Sequence, residues 1–210
     1  MGSITMTTLK IFLLNRLGFN NIGQTKQDLW VKNGCQGSAP HLIKEITIVD
    51  YKIKFGYTTL IETGTYLGDM VDAMKIHFQK IISIELSPSL FKSAKNRFKQ
   101  DDNIEIVQGD SSKLLPRILK KLKEPVIFWL DGHYSSGFTA KGEKECPILE
   151  ELDAIFNNNE LPNVILIDNA RCFNGNGDYP TIEQLLKKVK THNERYTIEI
   201  KYDIIRFVVN

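Results

Sequence analysis

The chain has 210 residues, 25% of them charged and 42% hydrophobic, with a formal net charge of +2. That length suits one domain with a short extension, large enough to bury roughly 70% of its unfolded surface without cross-links. Three scattered cysteines without a C-x-x-C pair exclude a disulfide framework and argue against structural zinc. A near-neutral balance argues against a nucleic-acid partner, and no run approaches the roughly 20 apolar residues of a membrane span.

Leu9, Phe12, Leu13 and Leu17 recur at helical spacing and predict a short amphipathic helix. The apolar run Ile11–Leu14 is shorter than the roughly 7–15 residues of a signal h-region, and no small-residue cleavage site follows. Residues 1–40 are therefore read as an N-terminal helical extension, a lid or a homodimer contact, ahead of a domain over 41–210. The expected location is cytoplasmic, with reduced thiols. Leu42, Ile46, Val49 and Ile53 share one face of a helix that Gly56 would stop. Strands are then expected at 58–62, 81–85, 104–107, 126–130 and 164–167, with helices near 69–78, 89–98, 114–122, 148–156 and 182–189. Tyr196–Lys201 and Ile204–Val209 read as a closing antiparallel pair joined at Tyr202-Asp203. Strands alternating with helices demand parallel pairing with right-handed crossovers. The expected fold is α/β, a Rossmann-like doubly wound seven-stranded sheet, mostly parallel with an antiparallel C-terminal strand. Ligands of such sheets bind at the carboxyl ends of the strands.

The first strand runs into Glu62-Thr63-Gly64-Thr65-Tyr66-Leu67-Gly68, which is neither a dinucleotide fingerprint nor a P-loop. Its glycines allow a tight turn and a close backbone approach to a ligand. A carboxylate beside such a loop would repel a pyrophosphate but suits a cationic or amino-acid-bearing ligand. Glu85 ends the second strand, where an acid can hydrogen-bond both ribose hydroxyls of a nucleoside. Asp110 and Ser111 follow the third, beside a base pocket, although Asp110 or Ser112 can equally cap the next helix.

With ETGTYLG (62–68), SIELS (83–87), QGDSS (108–112) and WLDGHY (129–134), residues 41–210 resemble the class I S-adenosylmethionine-dependent methyltransferases. In detail the chain resembles small bacterial members linked to cell-surface glycans. The resemblance implies S-adenosylmethionine as cofactor. It places Glu62, Gly64, Thr65, Tyr66, Gly68 and Asp131 around the methionine part, Glu85 on the ribose, and Asp110 with Ser111 at the adenine. Tyr66 stands where many members carry glycine.

The fourth and fifth strands end in Asp131 and in Asp168-Asn169, an all-oxygen set suited to magnesium rather than zinc. This set is similar to that of metal-dependent O-methyltransferases of the catechol and macrolide-sugar type. The catechol enzymes place a lysine base where Tyr134 stands here, so His133 is the expected base, with Tyr134 and Arg171 toward the acceptor. Arg171 reads equally as a surface ion-pair residue. The resulting expectation is metal-assisted O-methylation of a small-molecule hydroxyl, on a sugar or glycan precursor. The alternatives are a metal-independent methyltransferase, or another nucleotide-binding enzyme or module on the same fold.

Overall fold

A computed structural model describes residues 21–132, 145–158 and 160–209. The helix expected over 9–19 lies outside these residues. Among the described residues two helices come first, α1 (Asn21–Lys32) and α2 (His41–Phe55). The repeating part follows as β1 (Thr59–Thr63), α3 (Asp69–Met74), β2 (Lys80–Glu85), α4 (Pro88–Arg97), β3 (Ile104–Gln108), α5 (Ser111–Leu119), β4 (Ile127–Leu130), α6 (Ile148–Asn158) and β5 (Val164–Ile167). A 3-10 turn (Ala170–Cys172), α7 (Ile182–His192), β6 (Tyr196–Lys201) and β7 (Ile204–Val209) complete the order.

The strands form one seven-stranded sheet in the order β3-β2-β1-β4-β5-β7-β6. Strands β1 to β5 pair in parallel, and β7 runs antiparallel to both β5 and β6. The order reverses between β1 and β4, which opens a crevice at their carboxyl ends.

Buried strands read as unbroken apolar runs because alternate side chains enter two different cores. Phe128, Leu130, Ile165 and Ile167 pack with Leu115 and Leu119 of α5, Leu152 and Ile155 of α6, and Leu185 and Val189 of α7. Ile127, Trp129, Val164 and Leu166 face the other way, onto Ile48 of α2, Val71 and Met74 of α3, and Ala94 of α4. Caps set the helix starts. Ser87 accepts from the Leu90 amide with Pro88 in the first turn of α4, and Thr181 forms a capping box with Gln184 on α7.

The buried face of α2 differs from the expected stripe. Leu42, Ile43, Thr47 and Ile48 are buried, whereas Ile53 is 72% exposed. The helix serves two neighbours at once. Ile43 joins Trp30 and Ala39 in a small cluster of its own, while Ile48 enters the sheet core. Thr47 is tolerated inside because its hydroxyl donates to the Ile43 carbonyl at 2.8 Å.

Candidate active site

The loop after β1 is shaped by its neighbours. Gly64 adopts φ +85°, its amide donates to the Ile84 carbonyl at 2.9 Å, and a Cβ there would lie 2.4 Å from the Asp131 carbonyl oxygen. The β1 and β4 tips therefore touch through backbone alone, which only glycine permits. Tyr66 is also left-handed, at φ +50°, and its amide donates to Glu85 Oε2 at 2.8 Å. The position that many members of the resembled family fill with glycine thus keeps a glycine-like backbone and presents a half-exposed ring. Glu85 Oε1 accepts from the Ser87 amide at 2.8 Å, so one carboxylate fixes the loops after both β1 and β2.

Glu62 is 2% exposed, and the Ser83 hydroxyl donates to its Oε2 at 2.5 Å. Thr65 and Ser83 share a further hydroxyl contact of 2.6 Å. Burial pushes the Glu62 carboxyl up to about 8 against the opposing Ser83 hydrogen bond, and the charges of Asp131 and Glu85 raise it further. Acids at the tips of three adjacent strands, β2, β1 and β4, thus feel one another, an arrangement that favours a cationic ligand.

Asp110 caps α5, accepting from the Ser112 amide at 3.0 Å and from its hydroxyl at 2.6 Å. Ser111 donates inward to Glu151 Oε1 at 2.5 Å. Glu151 is buried, and a Cβ on Gly132 would sit 3.1 Å from its Oε1. Sequence reasoning missed Glu151. The available signal was its place three residues after Ile148 and one before Leu152, on the buried stripe of α6.

Beyond β5, Asp168 is 1% exposed. Lys44 of α2, 15% exposed, forms a salt bridge with its Oδ2. Burial, then the charge of Asp131, pushes Asp168 up to about 6, against the stabilising charge of Lys44. Asn169 holds a left-handed backbone at φ +59°, a conformation asparagine tolerates. Its amide nitrogen donates to Asp168 Oδ2 at 3.2 Å and, weakly, to Asp131 Oδ1 at 3.5 Å, while its oxygen accepts from Arg171 Nη1 at 2.7 Å. Arg171 pairs with Asp203 of the β6–β7 turn, which also accepts the Arg171 amide at 2.9 Å.

The three residues expected to hold magnesium do meet at the tips of β4 and β5. Their donor set does not fit a divalent ion. An ammonium already sits on Asp168, and the Arg171 guanidinium fixes the Asn169 amide with its nitrogen, not its oxygen, toward the acids. Among the described residues no group of three or more His, Cys, Asp or Glu side chains gathers to hold a metal. His133 and Tyr134, the expected base and acceptor contact, lie outside the described residues.

The sheet order, the glycine turn after β1 and the acid ending β2 define the class I S-adenosylmethionine-dependent methyltransferase fold. Comparison with solved structures agrees. The chain superposes on an O-methyltransferase from Bacillus cereus, in complex with SAH, over 96% of this chain and 97% of that one, with a TM-score of 0.63 and 12% identity. It superposes on the O-methyltransferase TomG from Streptomyces achromogenes, in complex with SAM, over 97% and 96%, with a TM-score of 0.57 and 12% identity. The 23S rRNA methyltransferase ErmE covers 83% of this chain and 70% of its own, with a TM-score of 0.53 and 17% identity. No protein-family model matches the sequence. Curated sequence relatives carry the name "Probable ribosomal RNA small subunit methyltransferase A". The one from Methanosarcina acetivorans is 32% identical over 56 residues, 27% of this chain and 21% of the relative. The one from Methanococcoides burtonii is 29% identical over 118 residues, 51% of this chain and 43% of the relative. The chain thus spans less than half the length of the curated relatives it matches.

These relatives overturn the expectation that nucleic acid is not a partner. That expectation rested on the near-neutral charge sum and on reading lysine-rich segments such as Lys120–Lys123 as solvated helix faces. Arg117, Lys120, Lys121 and Lys123 are exposed together at and after the end of α5, a local basic cluster hidden in a net charge of +2. Among the described residues, no helix is long and apolar enough to cross a membrane.

Proposed function

We propose that the chain is an S-adenosylmethionine-dependent methyltransferase acting on an acceptor hydroxyl. The observation that carries the reading is the run of mutually interacting acids Glu85, Glu62 and Asp131 on adjacent strand tips around the Gly64 turn. That geometry fits a ligand with a sulfonium and an ammonium group. Asp131 faces its positive charge, as does Glu62 once that charge has displaced its proton, Glu85 holds the turn in register and offers its remaining lone pairs to ribose hydroxyls, and Ser111 with Asp110 borders the adenine. S-adenosylmethionine supplies an electrophilic methyl group there. Transfer to a hydroxyl forms a C–O bond as the C–S bond breaks, leaves a neutral thioether and releases the hydroxyl proton. The protein contributes alignment of the two reactants.

Hydroxyl methylation is supported by superposition along nearly the whole length of both chains on two O-methyltransferases. In this reading the acceptor is a sugar or glycan-precursor hydroxyl, as the motif resemblance implies, and the reaction runs without a metal because the Asp168 group already holds a cation. A second reading, methylation of an RNA nucleotide, is favoured by the ribosomal RNA methyltransferases among the sequence relatives. The test is calorimetric titration of S-adenosylhomocysteine, followed by transfer of radiolabelled methyl to glycan precursors and, separately, to total RNA. Binding in the micromolar range that Glu85→Ala weakens supports the cofactor site. Label in sugar or in RNA decides the acceptor. No binding of S-adenosylhomocysteine would refute the reading.

A further inference from the structure

Lys44 is a cation that the sequence did not flag and the cofactor site does not use. It projects from α2, an element outside the five strand-end loops, onto the side chain at the tip of β5. The parity of β5 explains the meeting. Val164 and Leu166 face the α2 side of the sheet, and the next residue of that parity is Asp168. Asp168 is buried, and its Oδ1 has no hydrogen-bond partner among the described residues. A buried carboxylate needs a compensating charge. Two cations serve the region in different ways. Arg171 is committed to Asp203 and to the Asn169 oxygen, while Lys44 contacts Asp168. An ammonium carries three donors on a compact point charge. With one spent on Asp168, Lys44 retains donors for an oxygen entering beside the acid.

We propose that Lys44 is the resident cation of the acceptor pocket, a specificity-determining residue that fills the position of a divalent ion and orients the acceptor oxygen. The inference rests on reading this cleft as a methyl-acceptor site. It adds that the pocket selects an acceptor with a hydroxyl able to take a hydrogen bond from an ammonium, and that it rejects divalent metals while Lys44 is present. A +1 charge fixed on Asp168 repels an incoming dication and occupies one of the oxygens it would need. Removing Lys44 leaves two buried-side carboxylates, Asp131 and Asp168, with a net charge that a hard dication satisfies.

The test uses Mn2+ as the probe, titrated by electron paramagnetic resonance into the full chain, and needs no knowledge of the acceptor. Wild-type protein is expected to bind Mn2+ only at the millimolar level of scattered surface carboxylates. Lys44→Ala is expected to gain one site at least about tenfold tighter, removed again by adding Asp168→Asn, while Lys44→Arg stays at background. Should Lys44→Ala fail to fold, Lys44→Gln neutralises the charge at near-native volume. Tight stoichiometric Mn2+ binding by the wild type that Asp168→Asn abolishes would overturn the proposal. So would background binding by a folded Lys44→Ala, because a lysine that merely braced α2 would leave metal affinity unmoved. Failure here leaves S-adenosylhomocysteine binding intact, so it is distinguishable from failure of the methyltransferase reading.

Discussion

Replacing Gly64 by alanine probes the point where the β1 and β4 tips touch. Two costs add. A left-handed backbone costs a residue with a Cβ about 1–2 kcal/mol. The new Cβ would also lie 2.4 Å from the Asp131 carbonyl oxygen and 2.9 Å from its carbon, both backbone atoms with no rotamer to yield. Forcing such a contact apart costs about 1–3 kcal/mol. Gly56 provides the control, because it holds a similar φ of +72° but nothing lies within 4 Å of its Cβ position. Gly56→Ala therefore carries only the conformational cost. At about 2–4 °C per kcal/mol for a chain of this size, Gly64→Ala should melt roughly 4–20 °C below wild type and Gly56→Ala roughly 2–8 °C below it. Thermal unfolding by circular dichroism measures both, and S-adenosylhomocysteine titration should show affinity lost only in Gly64→Ala. Equal melting temperatures for the two variants, with unchanged affinity, would refute the claim that backbone contact shapes the site.

Glu62 keeps its proton to about pH 8 in the folded state, whereas the unfolded chain releases it near 4.5. The folded state therefore holds the extra proton in that window, and wild-type stability falls as pH rises through it. Glu62→Gln removes the effect, so its urea midpoint should rise relative to wild type between those pH values and level off above them. Thr181→Ala breaks the capping box of α7 and should cost about 1 kcal/mol, read as a lower urea midpoint with unchanged slope. Burial pushes the Cys146 thiol up to about 12, while Cys35 and Cys172 are partly exposed. Iodoacetamide at mildly alkaline pH should label Cys35 and Cys172 in folded protein and add Cys146 only in denaturant, as mass spectrometry would show. Rapid labelling of native Cys146 would contradict its burial.

The strands were legible because each is an apolar run ended by a polar residue, and the acids that matter stand at those ends by parity alone. Glu62, Glu85, Asp131 and Asp168 were all placed at strand tips from the sequence. What each one touches was not legible. Glu85 holds two backbone amides, a fact that depends on the left-handed turn at Tyr66, and tyrosine gives no warning of that conformation. Asp110 was open between cofactor contact and helix cap, and in the fold it caps α5. Lys44 and Glu151 were invisible for a common reason. Each sits on a helix whose buried face could be drawn in period but not in rotation, and charged residues near an apolar stripe default to solvent. The magnesium expectation meets its difficulty at the same step. Three oxygen donors can be counted in a sequence, but a lysine arriving from another helix cannot.

Strand β7 follows β6 in the chain yet stands between it and β5. During synthesis the outer edge of β5 therefore stays bare until residues 204–209 leave the ribosome. Asp203 travels with them, and it anchors both the Arg171 side chain and, through its carbonyl, the Ala170 amide at 2.8 Å. Strands β1 and β2 share both cores with these residues: Ile204 and Val208 join the cluster of Leu60 and Ile81, and Ile205 and Phe207 that of Ile61 and Ile84. The strand made last thus completes both cores of the sheet and the Arg171 anchor together.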